Sequence, residues 1–290
     1  MRKLLWVIAL IIVLFAGDRI GAWVLKRMTQ SSQFRYSRLY RGEANADVLL
    51  VGNSRGLMYF QPYIEDKTNL STLNISYNAL PIDLAKNLVA DHIRINGAPR
   101  LMLLDVTMCD RMNNQLIAGF QTYRSFSENL DTLLQSCVPK TYYGGELMQL
   151  YRYNSEIFHR ALYYSKRIDE DWLLDRIMTD KLRGQVAKAE INNFTIQNYL
   201  LDQLVETVQL AQAAGTEVKL LVNPYYPPYL ERITNMEQSL QRIEKATGLK
   251  VHNYSSAITD NAAFGDYQHL NKYGARLFID QLIADGVLSE

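Results

Sequence analysis

The chain has few cysteines and histidines and no excess of charge of either sign. Its 290 residues include two cysteines and four histidines, and no Cys-x-x-Cys or Cys/His spacing predicts a metal site. Lysine and arginine number 31 against 30 aspartate and glutamate, a formal net charge of +1. No global field therefore recruits nucleic acid or an anionic surface. Without a metal cluster, a glycine-rich phosphate loop or a basic stripe, phosphodiester chemistry is also disfavoured.

One long hydrophobic run lies at the N-terminus. Leu4 to Gly17 is uncharged and follows two basic residues, the layout of a signal sequence or a membrane anchor. The run is shorter than the roughly 20 residues of a spanning helix, but a helix that continues through Asp18 and Arg19 becomes long enough. No small-x-small cleavage site is well formed. We expect residues 1–28 to be an uncleaved, single-pass anchor in the cytoplasmic membrane, with the rest of the chain on the periplasmic or extracellular side.

The two cysteines fit an exported chain in two ways. Cys109 and Cys137 can form a disulfide in an oxidising compartment, or they can be two free buried thiols. The sequence does not decide between these alternatives.

Residues 29–46, polar and rich in arginine and tyrosine, are expected to form a stalk or a segment on the domain surface. A domain over 47–290 follows, in which short apolar stretches alternate with helical patterns, as in a parallel sheet covered on both faces. The predicted strands are Asp47–Val51, Leu70–Ile75, Arg100–Asp105, Val218–Asn223 and Lys250–Asn253; the predicted helices are Ile82–Ile95, Thr195–Ala214, Asn235–Ala246 and Lys272–Ala284.

The residues from about 111 to 190 leave this alternation. They form a tyrosine-rich helical stretch that is too long for a simple crossover between strands. We interpret it as an insertion that serves as a lid, a partner surface, or both.

A serine follows the first predicted strand. The strand ends in Gly52-Asn53-Ser54-Arg55-Gly56, where glycines permit a tight strand-to-helix turn. A serine on such a turn exposes its hydroxyl, and its own N–H points to where an oxyanion would form. The alternative is a serine that only caps the following helix.

A carboxylate and an imidazole lie near the C-terminus. Asp266 and His269 are three residues apart on a turn, so the carboxylate can accept from the imidazole Nδ1 and leave Nε2 facing a hydroxyl. The alternative is a helix-capping aspartate beside a solvated histidine. Together with Ser54, the pair predicts a Ser-His-Asp triad.

These two motifs resemble the SGNH or GDSL-type hydrolases. Val51-Gly52-Asn53-Ser54 is similar to their first block, and Asp266-Tyr267-Gln268-His269 to their last. The resemblance implies Ser54 as nucleophile, His269 as general base and Asp266 as its orienting partner. It also implies a flavodoxin-like three-layer α/β/α fold with a central parallel sheet, as the strand and helix order predicts independently.

The middle blocks of that family are altered here. Ser76, in Asn74-Ile75-Ser76, stands where the resemblance places an oxyanion-hole glycine, whose N–H would be kept. The asparagine expected after the third strand is absent. The predicted oxyanion hole is therefore Ser54, Ser76 and Asn78, with Asn113 and Arg55 as other candidates.

Three further residues are candidates for substrate binding. Arg55 could donate to an anionic acyl or sugar substituent, or it could form a structural ion pair. Tyr225 and Tyr226 follow the fourth strand in a proline-rich loop, where exposed rings would suit sugars; alternatively they pack on the domain.

The anchor and the motifs together resemble exported, single-pass proteins that work beside membrane-bound O-acyltransferases on envelope polysaccharides, including the lipoteichoic acid D-alanylation family. This likeness implies a serine O-acyltransferase or esterase acting on a cell-surface glycan, with a multi-pass membrane O-acyltransferase as partner. The alternative is a catalytically weak, glycan-binding or scaffolding partner of such an enzyme. No cofactor is expected.

Overall fold

The computed structural model describes residues 2–167, 172–188 and 190–288. Its strands are β1 (Val48–Val51), β2 (Thr72–Asn74), β3 (Leu101–Asp105), β4 (Glu217–Val222) and β5 (Val251–Asn253). Its α-helices are α1 (Arg2–Ser31), α2 (Arg35–Arg41), α3 (Gln61–Thr68), α4 (Ile82–Asn96), α5 (Asn114–Gly119), α6 (Glu128–Cys137), α7 (Pro139–Leu147), α8 (Glu156–Tyr163), α9 (Asp180–Ala187), α10 (Asn198–Ala213), α11 (Pro227–Leu230), α12 (Met236–Thr247) and α13 (Lys272–Ala284).

The chain folds as two compact units. Unit 1 comprises Met1–Glu43 and Asn114–Asp169, and unit 2 comprises Ala44–Asn113 and Glu170–Glu290. The N-terminal helix therefore belongs to the same unit as most of the predicted insertion, and unit 2 contains all five strands.

The sheet of unit 2 is parallel throughout, in the order β2-β1-β3-β4-β5. This is the flavodoxin-like order, in which ligands bind beyond the carboxyl ends of the strands, where the strand order reverses between β1 and β3. The four residues of β1 and the five of β3 are all buried, because strands covered on both faces have no solvent side. The predicted fold class is confirmed.

Helices cover this sheet in two groups. Helix α10 packs against α4 and α12, and α3 packs against α13. The buried residues of α4 include Ile82, Ala85, Leu88 and Val89, the spacing of a helix with one apolar face. The predicted helices around α4, α10, α12 and α13 are all present, with ends that differ by at most three residues.

Unit 1 is helical among its described residues. Helix α1 is long and apolar enough to cross a membrane, with a mean hydropathy of 2.1 over its most apolar window. Its first half is exposed. Its second half packs within the unit, where Ala22 contacts a cluster with Tyr153 and Phe158, and Thr29 is fully buried.

The structure describes two of the segments delimited from the sequence. Residues 29–46, expected as a stalk or a segment on the domain surface, contain α2, whose Tyr36 and Leu39 are fully buried; aromatic burial of this kind belongs to a packed segment rather than to a solvated stalk. The helical part of the expected insertion at about 111–190 divides between the two units, because residues from 170 onward belong to unit 2.

Candidate active site

Three side chains form one line of hydrogen bonds at the carboxyl end of the sheet. Ser54 Oγ lies 2.8 Å from His269 Nε2, and His269 Nδ1 lies 2.8 Å from Asp266 Oδ1. Because an ionised carboxylate only accepts, Nδ1 carries the imidazole proton and Nε2 accepts from the Ser54 hydroxyl. This is the arrangement that activates a serine as a nucleophile.

The turn at Ser54 follows from its neighbours. Asn53, rather than Ser54, caps the 3-10 helix Ser54–Met58, since its Oδ1 accepts from the Arg55 N–H at 3.0 Å. Gly56 is needed for packing, because a Cβ at this position would lie 2.4 Å from Ser76 Oγ. The helix cap is therefore Asn53 and not Ser54. The Ser54 hydroxyl forms its hydrogen bond with His269 instead.

The loop of Asp266 and His269 is fixed in the same way. Asn271 caps α13, with its Oδ1 accepting from the Tyr273 and Gly274 N–H groups, so Asp266 is not the helix cap. Asp266 Oδ1 also accepts from the backbone N–H groups of Gln268 and His269, at 2.9 Å and 3.1 Å. The carboxylate therefore holds its own loop as well as the imidazole.

Asp266 is held in its charged form. Burial raises its pKa, but the hydrogen bond and charge of His269, the Gln268 N–H and the Arg176 guanidinium together outweigh burial and lower the pKa to about 2. Arg176 donates to Oδ2 at 3.0 Å. A carboxylate that stays ionised can stabilise the imidazolium formed when His269 takes a proton.

A cavity of about 370 Å³ opens beside Ser54 within unit 2. Its walls are mostly polar, with amide, hydroxyl and phenol groups from several loops. Gln268 Nε2 and Asn192 Nδ2 both donate to the Tyr229 hydroxyl, at 3.1 Å and 3.2 Å. The lining residues are Asn53, Ser54, Arg55, Thr107, Asp110, Arg111, Asn192, Asn193, Phe194, Thr195, Tyr225, Tyr229, Ile233 and Gln268.

Arg55 is a buried part of the cavity wall. It is 5% exposed, its guanidinium lies 3.6 Å from the centre of the Tyr225 ring, and its Nη2 donates to the carbonyl oxygens of Asn223 and Pro224. Its Nε and Nη1 atoms are buried without a hydrogen-bond partner in the part of the chain that the structure describes. Arg55 thus holds the loop after β4 through Nη2. Its Nε and Nη1 groups remain available to donate to a ligand.

The two tyrosines predicted to bind substrate are less accessible than expected. Tyr225 lines the cavity but is 6% exposed, and burial raises its pKa to about 12 against the opposing charge of Arg55. Tyr226 is 4% exposed and its ring packs edge-on against Phe264. Tyr226 therefore packs on the domain, the alternative to sugar binding. Tyr225 forms part of the cavity wall, where it stacks with Arg55.

The structure places the other oxyanion candidates outside the cavity lining. Ser76 is fully buried, and its N–H donates to Asn74 Oδ1 at 2.9 Å. Asn78 is exposed, and Asn113 Nδ2 donates to the Ala79 carbonyl at 3.0 Å. Of the five predicted oxyanion candidates, two line the cavity, namely Ser54 and Arg55.

Thr107 is a cavity residue that the motifs did not predict. It follows β3, and its Oγ1 accepts from Asn53 Nδ2 at 2.8 Å. Asp105 Oδ1 accepts from the Thr107 N–H at 2.8 Å, and Asp105 Oδ2 accepts from Asn223 Nδ2 at 3.0 Å. Burial raises the pKa of Asp105, opposed by the charge of Arg55. This buried network joins the ends of β1, β3 and β4.

The remaining reactive groups form no second centre among the described residues. Cys109 is buried, Cys137 is half-buried, and no disulfide joins them. No group of three or more His, Cys, Asp or Glu side chains in residues 2–167, 172–188 and 190–288 could hold a metal ion.

Comparison with known proteins gives structural similarity without sequence similarity. No family profile matches the chain, and no curated protein matches it. A crystal structure of a protein from Bacteroides fragilis, described as a candidate acylhydrolase, is 13% identical with a TM-score of 0.41, covering 83% of this chain and 87% of that chain. At this level of similarity the neighbour carries no information about the site, and the chemistry of the site is inferred from its geometry alone.

Proposed function

We propose that this protein is a membrane-anchored, extracytoplasmic serine enzyme, an esterase or O-acyltransferase that acts on acyl esters of a cell-surface polysaccharide. The observation that carries the proposal is the hydrogen-bonded line from Ser54 through His269 to Asp266, opening on a polar cavity.

The proposed reaction passes through an acyl-serine. Ser54 Oγ attacks the ester carbonyl carbon while His269 Nε2 takes the hydroxyl proton. The tetrahedral intermediate collapses, its C–O bond to the alcohol breaks, and His269 returns the proton to the departing oxygen. A water molecule or a sugar hydroxyl then attacks the acyl-Ser54 carbonyl while His269 takes its proton. The bond between the acyl carbon and Ser54 Oγ breaks, and His269 returns the proton to Ser54 Oγ, which gives hydrolysis or transfer.

For the oxyanion we assign the Ser54 N–H and the Thr107 hydroxyl. Thr107 Oγ1 accepts from Asn53, so its own proton is directed away from Asn53 and can be donated to a ligand in the cavity that both residues line. The expected contributions of Ser76 and Asn78 lack this support, because the Ser76 N–H donates to Asn74 and Asn78 is outside the cavity lining. A hydroxyl donor here would replace the missing amide.

The cavity chemistry supports a glycan substrate. Side-chain amides and the Tyr229 phenol can exchange hydrogen bonds with sugar hydroxyls, while Phe194 offers an apolar ring face. The buried, unpartnered Nε and Nη1 atoms of Arg55 would suit an anionic or strongly polar substituent. A multi-pass membrane O-acyltransferase is the proposed source of acyl groups.

The anchor part of the proposal rests on α1. The helix is long and apolar enough to cross a membrane and continues without a break into packed structure at Ala22 and Thr29. Arg2 and Lys3 at its N-terminal end favour a cytoplasmic N-terminus under the positive-inside rule.

A covalent serine probe tests the chemistry. We expect a fluorophosphonate to label the detergent-solubilised full chain, the S54A variant to stay unlabelled, and the S256A variant, which changes an exposed serine, to label normally. An activated acyl ester offered with and without acceptor oligosaccharide then separates transfer from hydrolysis. Fast hydrolysis without any acylated sugar would exclude the transferase.

A second candidate is a glycan-binding scaffold that keeps the triad without turnover. One observation favours it: no side-chain amide follows β3 among the cavity residues, where Thr107 and Asp110 stand. A scaffold would bind oligosaccharide and remain unlabelled by the fluorophosphonate at Ser54.

A further inference from the structure

The uncharged run of α1 is too short to cross the hydrocarbon core of a bilayer by itself. The fourteen uncharged residues from Leu4 to Gly17 rise about 21 Å as a helix, against a hydrocarbon core of about 30 Å. About six more residues, up to Trp23, are needed to complete the crossing. Ile20 and Trp23 are 64% and 59% exposed, so this part of α1 also presents an apolar face.

Two of these six residues, Asp18 and Gly21, contact the segment around Leu150 of the same unit. Asp18 accepts from the Gln149 and Leu150 N–H groups at 2.8 Å and 2.9 Å, and Gly21 lets Leu150 approach so closely that a Cβ there would lie 3.0 Å from the Leu150 side chain. The segment around Leu150 is thereby held at the depth of the last turns that must cross the bilayer.

The charges at this depth are satisfied inside the protein. Asp18 is 8% exposed, pairs with Arg19, and supplies the acceptor that the first N–H groups of the 3-10 helix Gln149–Tyr153 need. An aspartate within an apolar helix is costly in a membrane unless it is paired in this way. Its fixed contacts make Asp18 compatible with a position in the last turns of α1 that cross the bilayer.

The docked segment exposes large apolar side chains. Leu147 and Met148 are 77% and 57% exposed, and Leu150, Tyr143 and Tyr151 are exposed beside them. Aliphatic side chains flanked by tyrosines are typical of surfaces at the headgroup level of a membrane. We call residues 143–151 the apical segment of unit 1.

We propose that the apical segment is a second membrane contact, with Leu147 and Met148 inserted into the outer boundary of the lipid bilayer that α1 crosses. The occupant of this face is lipid, because the segment is fixed by Asp18 at the depth where lipid must surround α1. The inference rests on the anchoring role proposed for α1 and not on the chemistry of Ser54.

Depth-dependent fluorescence quenching tests this contact in the full chain. The protein is prepared with C137S, since Cys109 is buried, and is reconstituted into single-copy lipid nanodiscs. Separate L147C, I11C and E237C variants carry an environment-insensitive fluorophore; Ile11 lies in the apolar run, and Glu237 is an exposed charged residue of α12. One quencher is a lipid with a nitroxide high on its acyl chain, and the other is aqueous iodide.

We expect the Leu147-position label to be quenched roughly threefold more by nitroxide lipid, and roughly threefold less by iodide, than the Glu237-position label. If the labels at positions 147 and 237 respond equally to both quenchers while the Ile11-position label is quenched by nitroxide lipid, the proposed lipid contact is wrong. The exposed face would then be a surface for a protein partner. If the Ile11-position label also fails to respond to lipid, the anchor itself is overturned. Neither result depends on fluorophosphonate labelling.

Discussion

Arg176 and Asp266 are joined by a hydrogen bond of 3.0 Å on the side of the carboxylate that does not face His269. Asp266 thus has one oxygen for the imidazole and one for a guanidinium. The segment that carries Arg176 is itself tied to the loop of Asp266, since the Met178 N–H donates to the Phe264 carbonyl and the Lys272 N–H donates to the Leu174 carbonyl. We therefore assign Arg176 as a positioning residue for the proposed triad.

Replacing Arg176 by glutamine should lower turnover modestly. Its side chain is 60% exposed, and exposed ion pairs are worth at most about 1 kcal/mol, or roughly fivefold in rate. We expect a lower kcat with an unchanged KM in ester hydrolysis. The matched control is R183Q, which removes another exposed arginine paired with an aspartate, Asp180. Equal loss in both variants would contradict a specific role for Arg176.

Replacing Asp266 by asparagine should nearly abolish turnover. The amide can donate where the carboxylate only accepts, so the imidazole tautomer that leaves Nε2 facing Ser54 is no longer enforced. We expect kcat to fall about 10³- to 10⁴-fold, measured as hydrolysis of an activated ester. Fluorophosphonate labelling of Ser54 at the normal rate in D266N would contradict this role.

The lowered pKa of Asp266 also predicts a pH dependence of stability. Its folded pKa of about 2 lies below the ordinary value of 3.8, so the unfolded state binds the proton more readily. The stabilisation is complete above about pH 5 and is lost as pH falls to about 2, by about 2 kcal/mol.

Denaturant unfolding of the wild-type chain and D266N between pH 2 and pH 5 measures this difference. We expect the wild-type free energy of unfolding to rise more steeply with pH than that of the variant. Parallel curves would show that Asp266 is not held in its charged form by its neighbours.

The sheet and its helices could be predicted because their patterns are local. Buried parallel strands are apolar runs, as in β1 and β3, and α4 shows one apolar face. Ser54 and His269 could be found because each stands in a short motif. Local patterns do not determine whether a loop side chain points to solvent or to the core. The proline-rich run of tyrosines would read the same in either case, and Tyr226 packs inward.

The rest of the site comes from isolated residues on distant segments. Arg176 and Asn192 belong to two different loops that carry no motif, whereas Gln268 lies inside the motif of Asp266 and His269 but has no role that the motif predicts. Their roles follow from tertiary contacts, such as the bonds of Asn192 and Gln268 to Tyr229, which no spacing in the sequence encodes. The choice between a stalk and a surface segment for residues 29–46 stayed open for the same reason, because polar and aromatic residues alternate there without a regular period.

The close approach of Gly56 to Ser76 predicts a specific coupling. A Cβ at position 56 would lie 2.4 Å from Ser76 Oγ and 3.0 Å from Ser76 Cβ, and both residues are buried. We expect G56A to destabilise the chain by about 1–3 kcal/mol through overpacking.

Removing the opposing side chain should relieve the clash. In the G56A/S76G double variant the loss of stability should be smaller than the sum of the single losses by about 1 kcal/mol or more, measured by denaturant unfolding. The control is G184A, at an exposed helical glycine with open space around it, which should be neutral or slightly stabilising. Strictly additive losses would exclude the contact.

The Thr107 hydroxyl should contribute to turnover and not to binding. Valine has nearly the same shape but can neither donate nor accept, so T107V removes the proposed oxyanion donor together with the acceptor for Asn53 Nδ2. Because an oxyanion donor acts on charge that develops only in the transition state, we expect kcat to fall about 10²-fold with KM unchanged. The matched variant T107S keeps the hydroxyl that accepts from Asn53 and should retain most of the activity. Turnover at the wild-type rate in T107V, with Ser54 still required, would assign oxyanion binding to another group while leaving the serine chemistry intact.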